Sequence, residues 1–207
     1  MNQINYQKEL EKIINGLQGA DSMSAPRLFL HSCCAPCSSY VLEYLCRYFR
    51  ITVFYFNPNI SEASEYQKRV EEQKRLIAVF NEEGRGYPIA VVEGDYEPRC
   101  FFEMARGLES CPEGGERCFR CYELRLRETA RLGAEGGFDF IATTLTISPL
   151  KNARKINEIG QTLSQEYGIA WLPSDFKKKE GYKRSIELSA QYGLYRQDYC
   201  GCTYSGR

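Results

Sequence analysis

Residues 27–45 read RLFLHSCCAPCSSYVLEYL. The first six residues form an unbroken apolar run ending in His31 and Ser32, the pattern of a β-strand covered on both faces. From residue 37 to 49 the apolar side chains Val41, Tyr44, Leu45 and Tyr48 recur at helical spacing. Pro36 falls in the first turn of that helix, where its missing N–H costs nothing. The segment therefore reads strand, tight turn, helix. A nucleotide enzyme would place a glycine-rich phosphate loop in that turn; here the turn holds Cys33 and Cys34, which argues against nucleotide hydrolysis.

The same alternation runs outward along the chain. ITVFYFN (51–57), PIAVVEG (88–94), FDFIATT (138–144) and IAWLPS (169–174) read as further strands with both faces covered. Helical stripes lie at about 3–18, at 61–82 and at 150–167. Strand–helix alternation predicts a single α/β domain over 1–207, a Rossmann-like (HUP-like) parallel sheet with helices on both faces. To this the reading adds an N-terminal helix within about 1–20, a cysteine-bearing helical insertion at about 95–117 between strands three and four, and a C-terminal tail at about 195–207. Ligands of such sheets bind beyond the carboxyl ends of the strands. The five strand exits carry HSCCAPC, NPNIS, Asp95 with Tyr96, TTLTISPLK and SDFKKKEGY, so one edge of the sheet is expected to be functional.

Composition sets the class. The chain is 43% hydrophobic and 26% charged, without an apolar run of membrane-spanning length or a secretory leader, so a cytoplasmic protein with no membrane partner is expected. Lys plus Arg and Asp plus Glu both number 27, giving zero formal net charge. The charge is uneven, however. DFKKKEGYKRS makes the C-terminal region basic and suited to a polyanion, although a solvated lysine-rich surface has the same composition.

Ten cysteines in a reducing compartment point to metal ligation or redox chemistry rather than structural disulfides. With His31 the sole histidine, any metal must be held mainly by thiolate; His31 itself is expected to be hydrogen-bonded near the site. Cys33 and Cys34 sit at a helix N-terminus, which favours thiolates. Cys118-x-x-Cys121 opens a second helix and adds two thiols, which suits either a [4Fe–4S] cluster or tetrahedral zinc. Cys37 reads as a spare ligand or a packed thiol, and Cys46, Cys100 and Cys111 as incidental. Cys200-Gly201-Cys202 reads as a redox pair, near a chain end and therefore expected to be mobile and reachable, or as two further ligands. The residues alone leave open three classes of protein: an iron–sulfur enzyme, a zinc-stabilised nucleic-acid-binding module, and a metal-free thiol–disulfide oxidoreductase.

LHSCCAPCS, FYFNPNI, GLESCPEGGERCFRCYELRL, ATTLTISPLKN, DFKKKEGYKRS and YRQDYCGC, in this order from about residue 27 to 202, resemble the QueH-type epoxyqueuosine reductases. The resemblance implies reduction of epoxyqueuosine to queuosine at the wobble position of tRNA, the last step of queuosine biosynthesis, without cobalamin. It implies a [4Fe–4S] cluster on Cys33, Cys34, Cys118 and Cys121, a redox-active pair Cys200 and Cys202, and an external electron donor. Some relatives have Asp at the position of Cys37, which implies a ligand for a second metal ion, iron, beside the cluster. Cys111 stands where an acidic residue is usual, which argues against its being a ligand. Lys177, Lys178, Lys179, Lys183 and Arg184 would meet tRNA phosphates, and Asp95, Asp175 or a tyrosine would supply protons.

Overall fold

A computed structural model describes residues 4–17 and 24–205. In chain order the elements are α1 (Tyr6–Gly16), β1 (Arg27–Ser32), α2 (Ala35–Leu45), β2 (Arg50–Tyr55), α3 (Ala63–Glu82), β3 (Ala90–Glu93), α4 (Pro98–Ala105), α5 (Glu116–Glu135), β4 (Phe140–Thr143), a 3-10 turn (Thr144–Ile147), α6 (Ala153–Tyr167), β5 (Ala170–Trp171) and α7 (Gly181–Gln191). The outermost parts of the expected N-terminal helix and tail, at 1–3, 18–20 and 206–207, lie outside the described residues. The five strands form one sheet in the order β3-β2-β1-β4-β5, and every pairing is parallel.

The alternation of side chains along each strand divides the core into two layers. Leu28 and Leu30 of β1, Ile51 and Val53 of β2 and Ala142 of β4 pack under α1, α2 and α3. Phe29, Phe54 and Ile141 face the other way, against Tyr122 and Leu126 of α5 and Ile156 and Leu163 of α6. Because both faces are covered, these strands read as continuous apolar runs.

Two strands depart from that expectation. β3 is the sheet edge, and while Val91 reaches the first layer, Val92 on the opposite face is 45% exposed. The long segment after β3 sends α5 across β1 and β4, leaving that face of β3 bare. β5 pairs only over Ala170–Trp171. Leu172 still donates to Ile141 O at 2.9 Å, and Pro173, with no N–H, ends the ladder.

α4 and the loop after it form the segment ahead of the crossover helix α5. α7 has no counterpart in the sequence reading, because its buried face is Gly181, Ser185, Leu188 and Ser189, which is no apolar stripe. Strand order reverses between β1 and β4, so the exits of these two strands flank the crevice where an open parallel sheet binds its ligands.

Candidate active site

The thiol turn after β1 is held by buried polar contacts. Ser32 Oγ and Ser38 Oγ lie 2.5 Å apart, and both hydroxyls donate to Gln73 Oε1, at 2.7 and 2.8 Å. Asn57 Nδ2 donates to Ser32 O at 2.8 Å, tying the exits of β1 and β2 together. His31 is fully buried, with Nδ1 2.8 Å from Thr143 Oγ1 and Nε2 3.1 Å from Phe56 O. Since a carbonyl only accepts, Nε2 carries the proton and Nδ1 accepts from the hydroxyl. Burial, with the Arg125 charge nearby, pushes the imidazole down to about 3. His31 is thus a neutral strut with both nitrogens occupied.

The turn delivers three thiols to one point. Cys33, Cys34 and Cys37 have their Sγ atoms within 4.8 Å of one another, with Cys33 and Cys34 3.8 Å apart. Hydrogen bonds from Cys34 and Cys37 draw the Cys33 thiol well below the usual thiol range, against the opposing effect of burial. Cys34, next to that thiolate, is pushed up to about 12, and Cys37 is held well above its ordinary value for the same reason. This all-thiol group can hold a soft metal ion.

α5 brings the second pair. Cys118 and Cys121 lie in its first turns, with Cys118 Sγ accepting from Gly114 N–H at 3.2 Å. Cys121 is buried, which pushes its thiol up. Both stand outside the tight three-sulfur group. They line a cavity with Cys200 and Cys202, and an adjoining cavity holds Cys33, Cys34 and Cys37. Arg125, Lys151 and Cys200 border both. Thiols from three distant chain segments therefore surround one cleft at the sheet's carboxyl edge.

The C-terminal tail is neither free nor open, contrary to expectation. Ser61 N–H donates to Gly201 O at 3.0 Å, Thr203 N–H to Ser61 Oγ at 3.0 Å, and Asn59 Nδ2 and Arg69 Nη1 to Cys200 O, each at 3.3 Å. Arg117 Nη2 donates to Tyr204 O at 3.3 Å. Cys202 is only 8% exposed. The β2 exit and two buried arginines pin the tail over the cleft. The pair is unbridged. A hydrogen bond from Cys202 lowers the Cys200 thiol to about 5, and Cys202 rises in turn.

The five basic candidates are divided. Lys177 pairs with Asp175 at 2.7 Å, Lys179 with Glu11, and Arg184 with Glu43 at 2.8 Å and Glu187 at 3.1 Å. Lys178 and Lys183 are exposed and have no carboxylate partner among the described residues. Asp95 is exposed at the β3 exit, and neither it nor Asp175 lines the thiol cleft.

Sequence reasoning missed Lys151 and Arg125. Burial alone would push the Lys151 ammonium down, but the Cys33, Cys200 and Cys37 thiols carry it above its ordinary value. Lys151 ends the segment TTLTISPLK at the β4 exit, and Arg125 lies four residues after Cys121 on one helix face; those positions were the available signals.

Residues 28–207 match the family model described as epoxyqueuosine reductase QueH. The chain is 45% identical over 204 residues to the epoxyqueuosine reductase QueH of Staphylococcus epidermidis, covering 98% of this chain and 84% of that protein. It is 44% identical over 182 residues to the protein of that name from Streptococcus pyogenes, covering 88% and 71%. Against that of Thermotoga maritima it is 33% identical over 184 residues, covering 86% and 89%.

Proposed function

From the premise that this chain belongs to the epoxyqueuosine reductase QueH family and is an oxidoreductase of that kind, we propose that it reduces epoxyqueuosine to queuosine at the wobble position of tRNA. Two electrons and two protons remove the epoxide oxygen as water and leave a carbon–carbon double bond. The observation that carries the reading is the meeting of Cys33, Cys34, Cys118, Cys121, Cys200 and Cys202 around one cleft.

The donor set fits an iron–sulfur centre: the ligating atoms are thiols, and the only imidazole is engaged on both nitrogens. Cys33, Cys34, Cys118 and Cys121 would hold a [4Fe–4S] cluster, and Cys37, grouped with Cys33 and Cys34, would serve a second metal ion, iron, beside it. Such a centre supplies electrons singly and Lewis acidity toward an epoxide oxygen; cobalamin has no part in this scheme. Cys200 and Cys202 form a dithiol whose oxidation to a disulfide releases two electrons and two protons, the amounts the epoxide consumes. An external donor then returns two electrons and two protons to the disulfide. Lys151 holds a proton at Nζ within the cleft. Lys178 and Lys183 lead the basic group Lys177, Lys178, Lys179, Lys183 and Arg184 as phosphate contacts for the tRNA, since the other three cations are paired within the chain.

The test is mass spectrometry of nucleosides from tRNA bearing epoxyqueuosine after incubation with anaerobically reconstituted protein and a reductant. The wild type is expected to hold four irons in its cluster and to form queuosine. Cys33→Ser is expected to lose the cluster and at least about 100-fold in rate, the order of effect for a lost ligand or its support. A Cys33→Ser protein that keeps both overturns the ligand assignment. A colourless zinc protein that still forms queuosine overturns the cluster but leaves the reaction.

A further inference from the structure

Among the described residues three arginines are almost fully buried: Arg69, Arg117 and Arg125, each 2–3% exposed. Arg69 has a carboxylate partner, whereas Arg117 has none and leaves Nε unpartnered but is gripped by several carbonyls. Arg69 pairs with Glu65 at 2.7 Å. Arg117 Nη1 donates to Leu108 O and Glu109 O, both at 2.9 Å, and to Cys111 O at 2.5 Å, and the guanidinium lies 4.9 Å from the Tyr204 ring centre.

Arg125 differs. Its Nε donates to Cys121 O at 3.2 Å and its Nη1 to Asn57 Oδ1 at 3.4 Å, both neutral acceptors at long range. Among the described residues no carboxylate lies within salt-bridge distance of the guanidinium. A guanidinium stays charged at any physiological pH, so this is a buried cation without an anion. Burying such a charge unpaired costs several kcal/mol. The chain retains it where both thiol-lined cavities meet, beside the cavity walls that carry Cys33, Cys121 and Cys200. Asn57 holds the head in place, because its amide bridges the guanidinium to Ser32 O at the base of the thiol turn.

We propose that Arg125 is the fixed counter-charge of the thiolate-held metal centre, a positioning residue that favours the centre's reduced state. The role rests on the iron–sulfur reading above. A cluster bound by four thiolates is anionic and gains one further negative charge on reduction, so a cation in a low-dielectric cleft stabilises the reduced form more than the oxidised one. Lys151 borders the same cavities, but its ammonium can give up its proton. Arg125 is shielded from solvent and cannot be neutralised.

The experiment compares wild type, Arg125→Gln, Arg125→Lys and Arg131→Gln, all reconstituted anaerobically. Iron and sulfide are counted, and the midpoint potential is read by spectroelectrochemistry. Arg125→Gln is expected to keep its iron and sulfide but to be reduced at least tenfold less readily, a shift of about 59 mV to more negative potential for one electron. Arg125→Lys, which retains the charge, is expected to stay within threefold of wild type, and Arg131→Gln, an arginine on the outer face of the same helix that lines neither cavity, to match it. A wild-type cluster with an unchanged potential in Arg125→Gln overturns this role alone. Where Arg125→Gln does not fold, an Arg125→Lys potential displaced tenfold or more overturns it, and one within threefold supports it. A wild-type protein that takes up no iron and sulfide overturns the cluster reading and this role together.

Discussion

Gly201 shows how one residue places two thiols. Its φ of +96° lies where a side chain is strained, and a Cβ there would stand 2.9 Å from Ile60 Cγ1 and 3.4 Å from the Arg69 guanidinium nitrogens. Glycine is thus required for Cys200 and Cys202 to turn toward the cleft while the backbone between them docks on Ser61. Gly201→Ala is expected to weaken tail docking by about 1 kcal/mol or more. Alkylation of Cys202 by iodoacetamide, followed by mass spectrometry, should then rise at least threefold with the global unfolding midpoint nearly unchanged. An unaltered alkylation rate would show that the tail has room for a side chain there.

Among elements, the α2–α7 contact carries the clearest electrostatic signature. Gly181 opens α7 so close to its neighbours that a Cβ would lie 2.0 Å from Phe176 O and 2.4 Å from the Tyr40 ring. Across the same contact Arg184 grips Glu43 through two nitrogens, at 2.8 and 3.0 Å, and Arg85 adds a third contact at 2.8 Å. Burial alone would raise the Glu43 carboxyl, but the hydrogen bonds and charges of Arg184 and Arg85 lower it overall. A depressed folded-state pKa contributes stability above the unfolded-state value, about 4.3 for glutamate, and that contribution is lost as pH falls through the folded-state value. Wild type should therefore exceed Glu43→Gln in urea resistance at pH 7, and the gap should close progressively below about pH 4.3. A gap that is constant between pH 7 and 3 would assign Glu43 a purely steric role. α7 also marks a limit of the sequence reading: a helix whose buried face is glycine, serine and one leucine leaves no periodic apolar signal.

At the scale of the whole molecule, zero net charge conceals a division of labour. Ten cations of the described residues are paired within their own helices, as in Arg131 with Glu128 and Glu135 or Arg154 with Glu158. Exposed pairs of this kind contribute little to stability, but they remove charge from any long-range field. Within the basic stretch 177–184, Lys178 and Lys183 are left to act outward. On the proposed tRNA reading, replacing both with Ala should flatten the dependence of log binding constant on log salt by about 0.7 per lysine, measured by filter binding at several salt concentrations. Arg184→Ala should change the slope little, because its charge is already neutralised by Glu43 and Glu187. No helix among the described residues is long and apolar enough to cross a membrane.

The local patterns of the sequence determined the α/β class, the strands β1, β2 and β4, and the location of the thiols at strand exits and helix starts. These are consequences of short-range periodicity and turn chemistry, which residues a few positions apart decide among themselves. Edge exposure of β3, the shortness of β5 and the existence of α7 were not legible, because each depends on what another element covers. The site divides in the same way. Cys33, Cys34, Cys118, Cys121, Cys200 and Cys202 were identifiable as chemistry, but only the tertiary structure grouped Cys37 with Cys33 and Cys34 at 4.8 Å or less and pinned the tail. Only the fold could single out Arg125 from the other arginines. An arginine's charge is the same anywhere in a sequence; what distinguishes this one is burial without a carboxylate at the meeting of both thiol-lined cavities, and that is set by the packing of distant segments.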